Sequence, residues 1–503
     1  MKPRTVSNYA LVCAGVCIII AFCLDASAYS RSKGSPQNAV ANLLLSKKYS
    51  SSAVSIAIRD VDRDSTIVDF NADSLTNPAS VSKLLTAAVA FEKLGLGFCF
   101  STRVFADSID RRHAIATIRN LYIQGGADPG FTAERLWLFA EHLYHTGLRK
   151  ITGNLVMDDY FLDSTGIGPG FDEEAGSESY LPFINALSVN FNTIGIHRRP
   201  GSAARDSVPI DLFPEMSGVR VESLATTSES APQESLRIST APDSGGTVVR
   251  IKGEMGLNEP GGYSFHKLWQ TSNAFGGALI PLFARRGIAF HGSIIHARVP
   301  QALLAGQPYY EFPSEPLSIA VNRMFKYSSN FTAEMIFKTL SAVRESDSGQ
   351  GSWEKSAVLV GSWWQERGLP GKPIICNGSG MGSVNKISPF QITELLGYVW
   401  NRKTYLPDYL AALPSAGYDG TLKSRLTKSP LRGVVRAKTG TMNSSGVSTL
   451  AGYFMPPGGR TYAFAIFCHG SGHGQWEDWQ IQEEILERFA SSIEGEYRGR
   501  IKE

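Results

Sequence analysis

Between Asn77 and Gly97 the chain reads as one helix that must be buried. Val81, Leu84, Leu85, Ala88 and Phe91 recur at helical spacing, and Gly95 and Gly97 end the run. Asn77 is a good N-cap and Pro78 fits the first helical position, where a missing N–H costs nothing. A helix is therefore predicted over 78–94. Its first turn carries Ser80, and Lys83 lies one turn further on the same face. An amine held in so apolar a setting loses proton affinity by desolvation and becomes able to take a proton from a hydroxyl. The spacing alone is cheap, since Ser-x-x-Lys also occurs at Ser30, Ser264, Ser352 and Ser383, and a serine at a helix start has a plain reading as a cap. Partners elsewhere in the chain must decide.

The chain has 503 residues, too many for a single ordinary core, so two or three domains are expected. A formal charge of +3, with no basic run interleaved with aromatics, gives no support to nucleic acid as a partner. At the N-terminus Lys2 and Arg4 precede an apolar run from Tyr9 to Leu24, followed by Ala26-Ser27-Ala28. Residues 1–28 are thus predicted to be a cleavable signal peptide, and the mature chain to be periplasmic or otherwise extracytoplasmic. The run is short for a spanning helix; an uncleaved anchor is the alternative, and peripheral membrane association is compatible with either. Bulky Phe22 before Cys23 argues against a lipidated cysteine. The mature chain keeps Cys99, Cys376 and Cys468, an odd number that allows one disulfide at most. Cys468, His469 and His473 have no second cluster to complete a metal site, so neither metal nor cofactor is expected.

Strand patterns at Ala53 to Ile58 and Ser65 to Phe70 precede the Ser80 helix. From about Phe98 short strands and turns take over: Arg103 to Phe105, Ala114 to Ile123 and Gly153 to Asp158, with a helix near Thr132 to Thr146. Residues 202–244 are rich in Ser, Pro, Thr and Glu, as in a small β domain with exposed loops. Helical spacing resumes in Leu317 to Phe325, Asn330 to Ala342, Trp353 to Arg367 and Pro389 to Trp400. Three strands and a closing helix from Trp476 to Ser491 follow. One mixed domain made from both ends of the chain is expected, interrupted by an insertion of roughly two hundred residues.

Two further motifs supply the partners. Tyr327-Ser328-Ser329-Asn330 lies between two predicted helices, and Ala437-Lys438-Thr439-Gly440-Thr441 ends an alternating strand. Ser-x-Asn also occurs at Ser188 and Ser383, but Lys-Thr-Gly occurs once. Ser-x-x-Lys, Ser-x-Asn and Lys-Thr-Gly in this order, on helix, loop and strand, form the signature of penicillin-binding proteins and serine β-lactamases. Together with Tyr180-Leu181-Pro182, Ala186 to Asn192, Asn377-Gly378-Ser379-Gly380-Met381 and Leu413 to Leu422, the triplet resembles the class C low-molecular-mass penicillin-binding proteins, the D-alanyl-D-alanine carboxypeptidase and endopeptidase family. The likeness covers nearly the whole mature chain. Asn377 stands where an aspartate is common in that family, and Ser329 where related enzymes often have one.

The resemblance implies an α/β (α+β) fold: a transpeptidase-like domain with an antiparallel sheet and helices over 29–98 and 306–503. The insertion would form two smaller, mainly β domains, one from 99–190 with 265–305 and one from 191–264. It implies a serine DD-peptidase that cuts the bond after D-Ala in peptidoglycan stem peptides through an acyl-serine and is acylated by β-lactams. Ser80 would be the nucleophile and Lys83 its base; Ser328 and Lys438 would relay the proton to the leaving nitrogen, and Asn330 would bond the substrate's amide oxygen. Thr439 and Thr441, on either side of Gly440, would take the terminal carboxylate. Asp158 resembles a position that meets the free amine of a stem-peptide side chain, with a surface carboxylate as the plain alternative. A β-lactamase or esterase of the same fold is the nearest rival and would hydrolyse penicillin without a lasting adduct. A non-catalytic cell-wall binding protein is the other, and it has no need of an intact triplet.

Overall fold

The computed structural model describes residues 35–498 except 174, 175, 177, 231–234, 245 and 344–348. The predicted signal peptide lies outside the described residues. The first elements are α1 (Pro36–Ser46), β1 (Val54–Asp60), β2 (Ser65–Phe70) and α2 (Ser82–Lys93). After a long excursion the same domain resumes with α3 (Leu317–Lys326), α4 (Asn330–Ala342), α5 (Pro389–Trp400), β3 (Val435–Met442), β4 (Val447–Phe454), β5 (Tyr462–His469) and α6 (Gln475–Arg498).

These five strands form one antiparallel sheet in the order β3-β4-β5-β1-β2, so the two ends of the chain close into one structure along the β1–β5 pairing. Side chains alternate across a strand, and β5 shows what that does here. Phe464, Ile466 and Cys468 join the core beneath α1 and α6, whereas Ala463, Ala465 and Phe467 join the one shared with α2, α4 and α5. Helices therefore cover both faces, which is why β4 is buried throughout and β5 nearly so.

β3 is the edge strand. The Val435 carbonyl accepts the Ala416 N–H, and the Ala437 N–H donates to the Pro414 carbonyl, both at 3.0 Å. Groups two residues apart point the same way, so Thr439 and Thr441 also turn their N–H and C=O away from β4. Among the described residues no further strand pairs with this stretch beside the Ser80 turn, where the Thr439 carbonyl accepts from the Lys438 amine.

The excursion carries a seven-stranded sheet built from residues between Cys99 and Asp158 with Ala289–Phe290, Ile294–His296 and Tyr310–Pro316. Tyr310–Pro316 pairs with Cys99–Arg112, so this sheet runs past residue 305. Cys99–Arg112 is fourteen residues long, far more than the 103–105 legible from apolar spacing. Its second half is a charged, exposed arm of a hairpin, with no apolar alternation to reveal it. Smaller sheets follow between Thr193 and Lys267; both these and the large sheet contribute to one apolar cluster from Val104 to Phe312, while Phe100, Ala127, Leu162, Ile184 and Ala186 join the core around α2 and α4. Among the described residues no helix is long and apolar enough to cross a membrane.

Candidate active site

Asn77 caps as expected, its Oδ1 accepting the Ala79 N–H at 2.9 Å, but the regular helix starts only at Ser82. Ala79 is left-handed (φ +44), and Ala79–Val81 form a tight 3₁₀ turn. A non-glycine residue held there costs about 1 to 3 kcal/mol, so the strain sits directly before Ser80. Gly380 and Gly440 pack against this turn, where added Cβ atoms would collide with it.

Lys83 has no solvent exposure. Its Nζ donates to Ser80 Oγ at 2.7 Å, to Asn330 Oδ1 at 2.7 Å and to the Ser379 carbonyl at 3.0 Å. Burial pushes its pKa down to about 7, with the Glu334 carboxylate pulling the other way. A second pair mirrors the first: Lys438, also fully buried, donates to Ser328 Oγ at 2.7 Å and to the Thr439 carbonyl at 2.8 Å. Burial, reinforced by the charge of Lys83, holds its pKa well below the usual lysine value. Each serine hydroxyl thus has an amine whose proton affinity burial lowers, and for Lys83 the lowering reaches neutral pH.

Ser328 sits at φ +55 between α3 and α4. Lys326 fixes the preceding residue pair by donating to Asp419 at 2.8 Å and to the Leu413 carbonyl at 2.7 Å. Ser329 caps α4, its Oγ accepting the Thr332 N–H at 3.1 Å. Serine and aspartate cap equally well, which accounts for the serine at this position. Asn330 Oδ1 accepts from Lys83 and its Nδ2–H donates to the Tyr180 carbonyl at 2.9 Å, so a substrate oxygen would have to replace that carbonyl. Asn377 donates to the carbonyls of Pro169 and Met381, both at 2.8 Å, a task that an ionised aspartate cannot perform.

The structure thus gathers Ser80, Lys83, Ser328, Asn330 and Lys438 into one linked cluster. Thr439 adjoins it, its hydroxyl donating to Thr421 Oγ1 at 2.8 Å. Thr441 is partly exposed on the same open edge. Asp158 is different. It is 3% exposed, and its oxygens accept from Val299 N–H (2.8 Å), Tyr160 N–H (3.1 Å) and Gln124 Nε2–H (3.1 Å). It is not a surface carboxylate. Removing an acceptor from three donors costs on the order of 3 kcal/mol, so Asp158→Ala should lower the thermal unfolding midpoint by several degrees.

Residues missed from the sequence include Ser379, whose carbonyl meets Lys83, Thr421 and Glu334. Ser379 and Thr421 lie inside recognised motifs; Glu334 is an ordinary-looking acid one turn into α4. A cavity of about 610 Å³ opens at Ser328, lined by Tyr180, Phe191, Phe265, Arg323, Tyr327 and Asn330 among others. That size suits a drug-sized or short-peptide ligand.

The sequence profile of the D-Ala-D-Ala carboxypeptidase 3 (S13) family matches residues 37–491. The chain belongs to that family. Like its S13 relatives it is a serine-type D-Ala-D-Ala peptidase, and the resemblance to class C penicillin-binding proteins holds. The D-alanyl-D-alanine carboxypeptidase of Actinomadura sp. (strain R39) is 28% identical over 425 residues, covering 82% of this chain and 76% of that protein. The D-alanyl-D-alanine carboxypeptidase DacB of Haemophilus influenzae is 26% identical over 435 residues, covering 85% and 87%. The S13 fold is matched by the crystal structure of penicillin binding protein 4 from H. influenzae, with a TM-score of 0.76 at 23% identity over 91% of this chain and 99% of that one.

Proposed function

We propose that Ser80 is the acylated nucleophile, activated by Lys83, and that the substrate lies antiparallel along the open edge of β3. The observation that carries this reading is the pair of 2.7 Å contacts, Lys83 to Ser80 and Lys438 to Ser328, each joining a fully buried amine to a half-buried hydroxyl. Neutral Lys83 takes the Ser80 proton as Oγ attacks the carbonyl carbon of D-Ala. The oxyanion is met by the N–H groups of Ser80 and Thr441, each such donor contributing about 2.7 to 4 kcal/mol. Ser328, backed by Lys438, passes a proton to the leaving nitrogen. Lys438 with the Thr439 and Thr441 hydroxyls draws in a terminal carboxylate, and Asn330 exchanges the Tyr180 carbonyl for the substrate's amide oxygen. Water then releases the acyl group. A β-lactam keeps its leaving group tethered, so its acyl-Ser80 should persist. The three internal donors give Asp158 a supporting role within the inserted sheet.

The substrates are peptidoglycan stem peptides, which places the enzyme outside the cytoplasm; the signal-peptide pattern of residues 1–28 supports a periplasmic site of action. Both carboxypeptidase and cross-link endopeptidase activity break a bond after D-Ala. The cavity beside Ser328 is lined by Tyr180, Phe265, Arg323 and Asn330 and not by Lys438, Thr439 or Thr441, so it adjoins the catalytic serines without belonging to the terminal-carboxylate end, and both reactions fit the site. The separate sheets support a division of the insertion near residues 190 and 265, into two units that share one apolar core, the larger of which takes in residues 310–316.

The test is mass analysis of purified peptidoglycan fragments and of the protein itself. Wild-type enzyme is expected to release terminal D-Ala or convert cross-linked dimers to monomers, and to gain the mass of one penicillin; Ser80→Ala should do none of these. Loss of terminal D-Ala and loss of cross-linked dimers have distinct masses and separate the two activities; neither loss would refute the DD-peptidase reading, and penicillin bound covalently to Ser80→Ala would refute the nucleophile.

A further inference from the structure

We propose that Glu334 is a positioning residue for Lys83, clamping the Gly378-Ser379-Gly380 turn whose Ser379 carbonyl receives the Lys83 amine. The inference rests on the reading of Lys83 as the base. Glu334 lies one turn beyond Asn330 on α4 and has no solvent exposure. Its Oε1 accepts the Ser379 N–H at 2.8 Å; its Oε2 accepts the Gly378 N–H at 3.0 Å and Trp353 Nε1–H at 2.7 Å. Three donors converge on one acid, and an ionised carboxylate, an acceptor only, satisfies them all. A buried carboxylate without such donors would be strongly unfavourable.

The turn is gripped from the other side by α2. Thr86 Oγ1 donates to the Gly378 carbonyl at 2.7 Å, and Lys83 donates to the Ser379 carbonyl at 3.0 Å. Ser379 therefore bridges base and acid through one residue, its N–H on Glu334 and its C=O on Lys83. Gly380 follows at φ +79 with its backbone against Ala79, and its N–H donates to Asn377 Oδ1 at 2.8 Å. Release of the turn would thus free an acceptor of Lys83 and a wall of the Ser80 turn together.

Electrostatics point the same way. The titratable groups that face Lys83 are Glu334 from α4 and Lys438 from β3. The carboxylate favours protonated Lys83 and opposes the lowering caused by burial, so Glu334 sets where the amine titrates as well as where it sits.

The experiment measures the penicillin acylation rate of the full chain against pH for Glu334→Gln, Glu334→Asp and Trp353→Phe, with thermal unfolding as a check on folding. In Glu334→Gln the new NH₂ must face an N–H donor and the charge is gone. The rate should fall on the order of tenfold or more, and the acid limb should move to lower pH, because Lys83 loses the anion that favours its protonated form. Glu334→Asp keeps the charge but shortens the reach, so the rate should fall while the limb stays in place. Trp353→Phe removes one donor yet leaves carboxylate and turn, so rate and limb should stay within about twofold of wild type. A purely structural role would not move the limb. A folded Glu334→Gln with wild-type rate and limb overturns the proposal. Should that variant fail to fold, Glu334→Asp acylating at the wild-type rate overturns it instead. Penicillin labelling of Ser80→Ala would be a failure of the parent mechanism, read in a separate protein.

Discussion

Replacing Lys83 with methionine is expected to lower the penicillin acylation rate of Ser80 by about 10⁴-fold, the upper end of what a positioned general base contributes. Methionine has a similar length and fills a fully buried slot, so the protein should still fold. It leaves the Asn330 and Ser379 oxygens without a donor, a loss of about 1 to 3 kcal/mol for each unsatisfied group. Against that, the wild-type chain carries the penalty of burying an amine, which is what pushes its pKa down to about 7. Stopped-flow acylation and thermal unfolding separate the two effects. The wild-type rate should fall as pH drops through about 7, as the base takes its proton.

Stability should carry the same signature with its own sign. Lys83 has a folded pKa of about 7 against an ordinary 10.5, so between these values the unfolded chain binds the extra proton. Stability then rises with pH across that window. Lys438, also depressed by burial, adds to the slope. Lys83→Met should flatten the rise but not remove it.

How much of this was legible in the sequence depended on whether the deciding contact was local. The ends of α4 and α5 could be read to the residue, because Ser329 and Ser388 are caps and Pro389 fills a first helical position. Ser388 even completes a capping box with Gln391. Ser352, one of the other Ser-x-x-Lys serines, proves to be such a cap. The Ser80, Ser328 and Lys438 motifs were legible because their order is a signature. Their partners were not. The donors to Glu334 come from residues 353, 378 and 379, and those to Asp158 from residues 124, 160 and 299. Apart from Tyr160, two residues from Asp158, these donors are too distant in the chain for any pattern around a lone acid to announce them. The break at Ala79 escaped for the same reason: Asn77-Pro78 reads as an ordinary helix start, and the approach of Gly380 and Gly440 to it is tertiary.

That approach makes Gly440→Ala the sharpest steric test of the oxyanion hole. Gly440 is extended, so the backbone itself would accept alanine; the obstacle is space. A Cβ there would fall 2.9 Å from the Ser80 nitrogen and 3.0 Å from the Ala79 Cβ, and would overlap the Thr449 hydroxyl. None of these is the far end of a long side chain. The Thr449 hydroxyl also donates to the Pro78 carbonyl at 2.9 Å, tying β4 to the same turn. Relief must come from parting β3 and the Ser80 turn, which carry the two proposed oxyanion donors. Acylation should fall about 10²- to 10³-fold, as when one such donor is lost, with Lys83 still in place and the acid limb of the pH profile unmoved. Adding Thr449→Ala removes the overlap with the hydroxyl but not the approach to Ser80 and Ala79. The double variant should therefore stay as slow as the single one; recovery to near the wild-type rate would locate the constraint in the sheet and not in the hole.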